Sequence, residues 1–189
     1  QQAQLPRQGL LDELHLLESI PEHPINHQGS SVTMWNKQEF NQIKQILVTK
    51  TFNRHAAAED CAVALICKGT KFRFGPGEAI FEEDEFADGI IYIILKGDQF
   101  RIEEEGECIP TNDLGPGKFL GEGVAVQRMN RDRSDPLFYT FKRRATVIPE
   151  EETILLAWHW DEFRETVSRY FGERCIEDLN NLIWARAHQ

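Results

Sequence analysis

The sequence predicts an α+β fold in which an antiparallel, jelly-roll-like β-roll is flanked by N-terminal and C-terminal helices. Apolar residues recur at helical spacing before residue 70 and again after residue 161. Between these regions, short segments rich in β-branched and aromatic residues are separated by Gly, Pro, Asp or Asn, as in a small antiparallel barrel or roll. A chain of 189 residues, 41% of them hydrophobic, can form one such core with extensions.

Residues 1–37 are predicted to form a helical extension and a linker. Apolar residues recur every three or four positions between Leu10 and Ile20, which indicates one amphipathic helix that ends before Pro21. Pro24 and the small residues that follow predict an irregular connection. The apolar face of the helix packs either on its own domain or on a partner; the pattern favours the first interpretation and leaves the second open.

Two helices are predicted to precede the roll. Asn36, with Glu39 three residues later, has the pattern of an N-terminal capping box, and apolar residues at helical spacing follow as far as Lys50. The second helix is predicted to begin near Asn53, to contain an alanine-rich stretch and to stop at Gly69.

The roll is predicted at residues 70–157, within one domain that comprises residues 38–189. Strands are predicted at residues 71–74, 79–82, 90–95, 100–104 and 144–148. Apolar residues at helical spacing then predict C-terminal helices at residues 161–187, with Gly172 as a break between two of them.

Composition and motifs argue against several classes of function. The chain has 21 basic and 31 acidic side chains, a net charge of −10, whereas nucleic-acid binding needs a basic surface. No apolar run approaches the ~20 residues of a membrane span. No GxSxG elbow and no HExxH pattern occurs, so we expect neither an enzyme nor a metal site. The four cysteines lack CxxC spacing, which favours free thiols in a reducing, cytoplasmic environment.

Two segments supply the parts of a phosphate-binding site. Residues 114–122 read LGPGKFLGE, and residues 143–147 read RRATV. Glycines at positions 115, 117, 121 and 123 allow positive φ and let backbone N–H groups approach a ligand closely. N–H groups that open a helical turn attract a phosphate, and an arginine adds a bidentate clamp on its oxygens. These residue types predict an anion-binding site and not a catalytic one.

These segments resemble the phosphate-binding cassette of the cyclic nucleotide-binding domain family, in which a Gly-Glu pair and a short helix precede Arg-x-Ala-Thr-Val. Here the pair is Gly121-Glu122, and the second motif is Arg143-Arg144-Ala145-Thr146-Val147. The resemblance extends to residues 74–81, 90–98 and 153–163 and covers most of the chain. It implies a β-roll that binds cAMP or cGMP as a ligand, without a further cofactor.

The resemblance also implies a role for each matching position. Glu122 would accept a hydrogen bond from the ribose 2′-hydroxyl, the backbone N–H groups of residues 123–125 would hold the phosphate oxygens, and Arg143 would clamp the phosphate. An aromatic side chain, Trp184 or Tyr170, would cap the base. The expected ligand-binding residues are Gly121, Glu122, Gly123, Val124, Ala125, Arg143, Arg144, Ala145, Thr146 and Trp184.

The chain departs from the family pattern in two main places. Residues 127–142 are inserted between the cassette and the arginine motif, so Arg131 or Arg133 is an alternative to Arg143 as the clamp. Arg144 occupies a position where the family often has Ala when cAMP is bound and Thr or Ser when cGMP is bound. The pattern therefore predicts no preference for either base.

The resemblance implies a non-catalytic regulatory module that binds a cyclic nucleotide and switches a protein partner or a flanking domain. The alternative is a degenerate fold of the same family that binds no nucleotide and serves as a protein-interaction or structural module. The two matching motifs favour the first interpretation, whereas the insertion and Arg144 favour the second.

Overall fold

The computed structural model describes residues 35–86, 89–111, 113–123 and 142–172, and these residues form three α-helices and seven strands. The helices are α1 (Lys37–Ile46), α2 (Ala58–Lys68) and α3 (Trp160–Phe171). The strands are β1 (Thr70–Phe74), β2 (Ile90–Lys96), β3 (Phe100–Glu104), β4 (Glu107–Ile109), β5 (Phe119–Leu120), β6 (Thr146–Pro149) and β7 (Thr153–His159). The predicted helices before Pro21 and after Gly172 lie outside the described residues.

Helix α1 begins with the predicted capping box. The side chain of Asn36 accepts a hydrogen bond from the N–H of Glu39 (2.8 Å), and the Glu39 carboxylate accepts one from the N–H of Asn36 (3.3 Å). Two orphan N–H groups of the first turn are satisfied in this way. A π-helical segment, Leu47–Thr51, continues the helix at its C-terminal end.

Helix α2 begins later than predicted. Asn53 and Arg54 have φ values of 49° and 59°, in the left-handed region, so a right-handed helix cannot run through them. The helix starts at Ala58. Its last residue is Lys68, and Gly69 caps it, which agrees with the predicted stop at Gly69. Gly69 is extended rather than left-handed, and a Cβ atom there would lie 2.6 Å from the Leu156 side chain. Close packing against β7 therefore requires glycine at this position.

The strands form two antiparallel sheets, with the order β1-β7-β2-β5 in one and β4-β3-β6 in the other. The predicted α+β class with an antiparallel roll is confirmed, and the two sheets of the described residues do not close into a barrel. The predicted strand at residues 79–82 is wrong: Phe81 makes an isolated bridge to Val147. The strand predicted at residues 144–148 begins only at Thr146 and continues to Pro149.

Strand β2 is buried on both faces and separates two apolar clusters. Ile91, Ile93 and Leu95 face a helix-side cluster, whereas Ile90, Tyr92 and Ile94 face an inner cluster between the sheets. The helix-side cluster includes Phe40, Leu65, Trp158 and Phe163. The inner cluster includes Phe72, Phe74, Phe81, Phe100, Leu120 and Val147. This division explains why six consecutive residues of β2 are apolar, since both sides of the strand are covered.

Polar contacts attach the helices to the sheets. The indole N–H of Trp158 on β7 donates to the carbonyl of Leu65 on α2 over 2.8 Å. Lys71 on β1 is buried, and its ammonium lies 3.3 Å from the Glu39 carboxylate and 4.6 Å from the ring centroid of Trp35. The capping-box glutamate thus also neutralises a buried cation of the first strand.

Candidate functional site

The main chain of Arg143 is held by the acidic segment that precedes β2. The N–H of Arg143 donates to the carbonyl of Glu85 (2.8 Å), and the N–H of Asp84 donates to the carbonyl of Arg143 (3.0 Å). Isolated bridges at Phe81–Val147 and Phe86–Lys142 flank this pair. Residues 81–86 therefore run antiparallel to residues 142–147 and fix the direction of the arginine side chain.

The side chain of Arg143 is turned into the protein, with 4% of the residue exposed. Its Nη1 atom lies 3.4 Å from the carbonyl oxygen of Gly121, and Nη2 lies 3.2 Å from that of Ile90. The guanidinium carbon lies 4.3 Å from the ring centroid of Phe81, a cation–π distance. Because burial of a cation is costly unless it is compensated, these carbonyls and this ring contribute to holding the charge in place.

Position 121 requires glycine for two reasons. Its φ of 75° is left-handed, and a Cβ atom would lie 2.7 Å from Nη1 of Arg143 and 3.3 Å from the carbonyl oxygen of Ile90. Glu122 and Gly123 then begin a helical turn. Gly117 also has a positive φ of 88°, whereas Gly115 and Gly123 do not use the positive φ that glycine allows. Gly123 already belongs to the right-handed turn.

A cavity of about 180 Å³ lies beside this contact. It is lined by both predicted motifs together with apolar side chains of the inner cluster and its surroundings. The lining residues are Phe81, Ile102, Leu114, Phe119, Leu120, Gly121, Glu122, Gly123, Lys142, Arg143, Arg144, Ala145 and Val147. The structure thus brings together two segments that are separated by 18 residues outside the described part of the chain.

Six of the predicted site residues line this cavity: Gly121, Glu122, Gly123, Arg143, Arg144 and Ala145. Thr146 does not line it, because its hydroxyl accepts a hydrogen bond from the N–H of Glu83 over 2.9 Å. Three predicted residues, Val124, Ala125 and Trp184, lie outside the described residues, as do the alternative clamps Arg131 and Arg133.

Tyr170, the second candidate for a base cap, packs against the helix-side cluster. That cluster also includes Phe119, which lines the cavity, but Tyr170 itself is not among the lining residues. The capping role of Tyr170 stays a prediction.

The lining is electropositive although the chain as a whole is acidic. Among the described residues that line it, Lys142, Arg143 and Arg144 supply three cations and Glu122 one carboxylate, in a chain of net charge −10. A concentration of positive charge against this background favours an anionic ligand. No cluster of His, Cys, Asp or Glu that could hold a metal ion occurs within the described ranges.

Sequence reasoning missed the contributions of three residues to the site. Phe81 was assigned to a strand, but its ring supports the Arg143 guanidinium, and Lys142 was treated as part of the insertion. Glu83 was also missed: its N–H donates to Thr146, and its carboxylate accepts from the N–H of Glu105 over 3.0 Å. The available signal for Phe81 was the resemblance of residues 74–81 to the strands that begin the family's β-roll, but that resemblance did not indicate a position near the site.

Comparison with known proteins agrees with this geometry. A family model for the cyclic nucleotide-binding domain matches residues 71–170, which is more than half of the chain. The chain belongs to this family. Cyclic nucleotide-binding domains are typically non-catalytic regulatory modules. No curated protein sequence matches the chain significantly.

Solved structures of the cyclic nucleotide-binding domain family share the fold. A cyclic nucleotide-binding domain from Methylobacillus flagellatus superposes with a TM-score of 0.58 at 15% identity, covering 88% of this chain and 90% of that chain. The catabolite activator protein of Thermus thermophilus gives a TM-score of 0.53 at 19% identity, over 71% of this chain and 57% of that one. The regulatory domain of Toxoplasma gondii PKA, crystallised with cAMP, gives 0.52 at 20% identity, over 70% and 46%. At these identities the likeness shows the fold.

In the part of the chain that the structure describes, no helix is both long enough and apolar enough to cross a membrane.

Proposed function

We propose that this cyclic nucleotide-binding domain binds cAMP or cGMP in the cavity beside Arg143 and acts as a switch without catalysing a reaction. The observation that carries the proposal is the buried guanidinium of Arg143, a residue that lines the cavity, 3.4 Å from the Gly121 carbonyl. A cyclic phosphate would lie between the guanidinium and the N–H groups after Gly121. The Glu122 carboxylate would accept the ribose 2′-hydroxyl.

Occupancy would reach the helices through contacts that already join them to the cassette. The hydroxyl of Thr51, in the π-helical segment, donates to the carbonyl of Gly117 over 2.9 Å, four residues before Gly121. The residues that follow this π-helical segment contact the end of α3. The ring centroid of Phe171 lies 5.0 Å from that of Phe52 and 4.7 Å from that of His55. A ligand that favours one arrangement of these elements shifts the population toward it. We propose that a protein partner or a flanking domain receives this change.

A cytoplasmic location and the absence of nucleic acid as a partner are part of the proposal. Among the described residues, Cys61, Cys67 and Cys108 form no disulfide, in agreement with a reducing compartment. Lys142, Arg143 and Arg144, the described basic residues of the lining, surround a cavity of about 180 Å³, whereas a duplex requires an extended basic footprint.

A degenerate fold without nucleotide is the second candidate, and two observations favour it. The cavity of about 180 Å³ is smaller than the ~300–1,000 Å³ of common ligand sites. In addition, Arg143 already hydrogen-bonds carbonyls of its own chain. In this case the contacts of Arg143 would be purely structural.

Thermal unfolding with and without nucleotides separates the two candidates. A ligand present at ~100-fold its dissociation constant adds about 2.7 kcal/mol, which corresponds to a rise of about 5–11 °C in Tm for a chain of this size. We expect such a rise with cAMP or cGMP and a much smaller one with 5′-AMP and 5′-GMP, which lack the cyclic diester. An unchanged Tm with both cyclic nucleotides would leave the degenerate fold as the remaining candidate.

A further inference from the structure

We propose that Glu83 is a positioning residue for Arg143 and thereby sets the affinity of the site for a phosphate. The inference rests on the proposed function, because it concerns the ligand of the same cavity. Glu83 is half-buried and is not among the residues that line the cavity. Its effect on a ligand therefore passes through other residues.

Hydrogen bonds hold Glu83 on two sides. Its N–H donates to the hydroxyl of Thr146 over 2.9 Å. Both of its carboxylate oxygens accept from the N–H of Glu105, at 3.0 and 3.2 Å. Thr146 begins β6, and Glu105 lies in the two-residue turn between β3 and β4. Since these three strands form one sheet, Glu83 fastens residues 81–86 to that sheet at two points.

The two residues after Glu83 hold the main chain of Arg143. The N–H of Asp84 donates to the Arg143 carbonyl over 3.0 Å, and the Glu85 carbonyl accepts from the Arg143 N–H over 2.8 Å. Asp84 has a φ of 65°, in the left-handed region that disfavours residues other than glycine. Such a conformation persists only where the surrounding contacts determine it. The Glu83 carboxylate supplies one of these contacts, directly before the strained residue.

The guanidinium of Arg143 must stay in one position to serve the ligand. Its Nη1 and Nη2 atoms lie 3.4 and 3.2 Å from the carbonyl oxygens of Gly121 and Ile90. Charge-assisted hydrogen bonds to a phosphate depend on distance and direction, so a shift of the Arg143 main chain weakens them. Loss of the Glu83 carboxylate should therefore weaken phosphate binding although no group that touches the ligand has been removed.

The test is calorimetric titration of the full chain and its variants with cAMP and cGMP. Glu83→Ala removes the acceptor and should weaken nucleotide binding about three- to tenfold, the effect of one hydrogen bond. Glu83→Gln keeps a carbonyl oxygen that can accept from the Glu105 N–H. Its affinities should stay within about twofold of the wild-type values, since the contact is kept and only its charge is lost.

Glu151→Ala is the matched control. The Glu151 carboxylate accepts from the main-chain N–H of Asp98 over 2.8 Å, and Glu151 is also half-buried and does not line the cavity. The two alanine variants thus lose the same kind of contact. Both should unfold at a similar, slightly lower urea concentration than the wild type, but Glu151→Ala should keep the wild-type affinities.

Amide hydrogen exchange of the ligand-free chain, followed by NMR, tests the positioning without any nucleotide. Glu83→Ala should speed exchange of the Asp84 and Arg143 amides relative to the amides of the central strand β7, which report opening of the whole domain. Glu151→Ala should leave this ratio unchanged. An unchanged ratio in Glu83→Ala would show that Glu83 does not hold the Arg143 main chain.

The outcomes separate this inference from the proposed function. If the wild-type chain binds a cyclic nucleotide, three results would overturn the role of Glu83 alone: wild-type affinity in Glu83→Ala, an equal loss of affinity in Glu151→Ala, or no recovery in Glu83→Gln. If the wild-type chain binds neither nucleotide, the proposed function fails and the effect on affinity fails with it. The exchange measurement then still decides whether Glu83 positions Arg143.

Discussion

The Nη1 atom of Arg143 lies 3.4 Å from the carbonyl oxygen of Gly121, although the two residues are 22 positions apart in the chain. This contact joins the two motifs that the sequence presents separately, the Gly-Glu pair and the Arg-Arg-Ala-Thr-Val segment. It also requires a residue without a side chain at position 121, since a Cβ atom would lie 2.7 Å from the guanidinium. The buried position of the Arg143 guanidinium therefore requires glycine at position 121.

Gly121→Ala should lower both stability and ligand affinity. The left-handed φ costs an alanine ~1–2 kcal/mol, and the new methyl group displaces the Arg143 guanidinium. Gly106→Ala is the control, because Gly106 has a similar φ of 80° and nothing within 4 Å of its Cβ position. Urea unfolding should show a loss in both variants, and calorimetry should show weaker nucleotide binding only in Gly121→Ala. Equal binding by the two variants would contradict the steric account.

Phe81→Leu should loosen Arg143 and weaken nucleotide binding. The Phe81 ring lies 4.3 Å from the guanidinium and 6.2 Å from the Tyr92 ring, and its loss removes a cation–π contact of ~0.5–2 kcal/mol. Phe72→Leu is the matched control, since Phe72 also contacts Tyr92, at 6.4 Å, in the same inner cluster. Both variants should unfold at lower urea concentration. If Phe72→Leu weakened binding as much as Phe81→Leu, the ring would act only through general packing.

Thr146→Val should destabilise the fold by ~1 kcal/mol or more. The substitution keeps the shape of the side chain but removes the oxygen that accepts the N–H of Glu83, and a partly buried donor left without its acceptor is costly. Thr146→Ser, which keeps the hydroxyl, should recover most of the stability. Denaturant unfolding measures both variants, and a valine variant as stable as the wild type would show that this hydrogen bond contributes nothing.

Glu152 gives a pH dependence of defined sign. The hydrogen bond from Lys96, at 3.2 Å, and then the charges of Arg73 and Lys96 lower the pKa of the Glu152 carboxyl. A carboxyl with a lowered pKa stabilises the folded state above its unfolded pKa, and this contribution disappears as the pH falls through the folded pKa. Glu152→Gln should therefore be slightly less stable than the wild type at neutral pH and equally stable in acid. A stability difference between Glu152→Gln and the wild type that grows as the pH falls would contradict this account.

Local features of the fold could be predicted from the sequence. The capping box at Asn36 and Glu39 depends on residues three positions apart, and the long apolar run of β2 is a strong strand signal. By contrast, the left-handed Arg54 could not be foreseen, and Asn53 gave only a weak signal, since asparagine adopts this region more often than most residues but usually remains outside it. Strand β5 has only two residues and is defined by its pairing with β2. The residue pattern of one segment alone carries no information about such pairing.

The site could be predicted in its residue types but not in its geometry. The motifs identified Gly121, Glu122 and Arg143, which line one cavity. The support of Arg143 by the Phe81 ring and by the carbonyl of Ile90 depends on the pairing of residues 81–86 with residues 142–147. Such pairing joins segments about sixty residues apart, and no local pattern determines it. The functional roles of these residues remain predictions.

The most direct test of the account is the affinity of the wild-type chain and of Arg143→Ala for cAMP and cGMP, measured by calorimetry at equal salt. The account predicts that the substitution weakens binding by about 1.5–3 kcal/mol, the range for hydrogen bonds to charged groups, or roughly 10- to 150-fold in Kd. Arg101→Ala should leave both affinities unchanged. Wild-type affinity in Arg143→Ala, with the variant shown to be folded, would contradict the central claim that this guanidinium holds the phosphate.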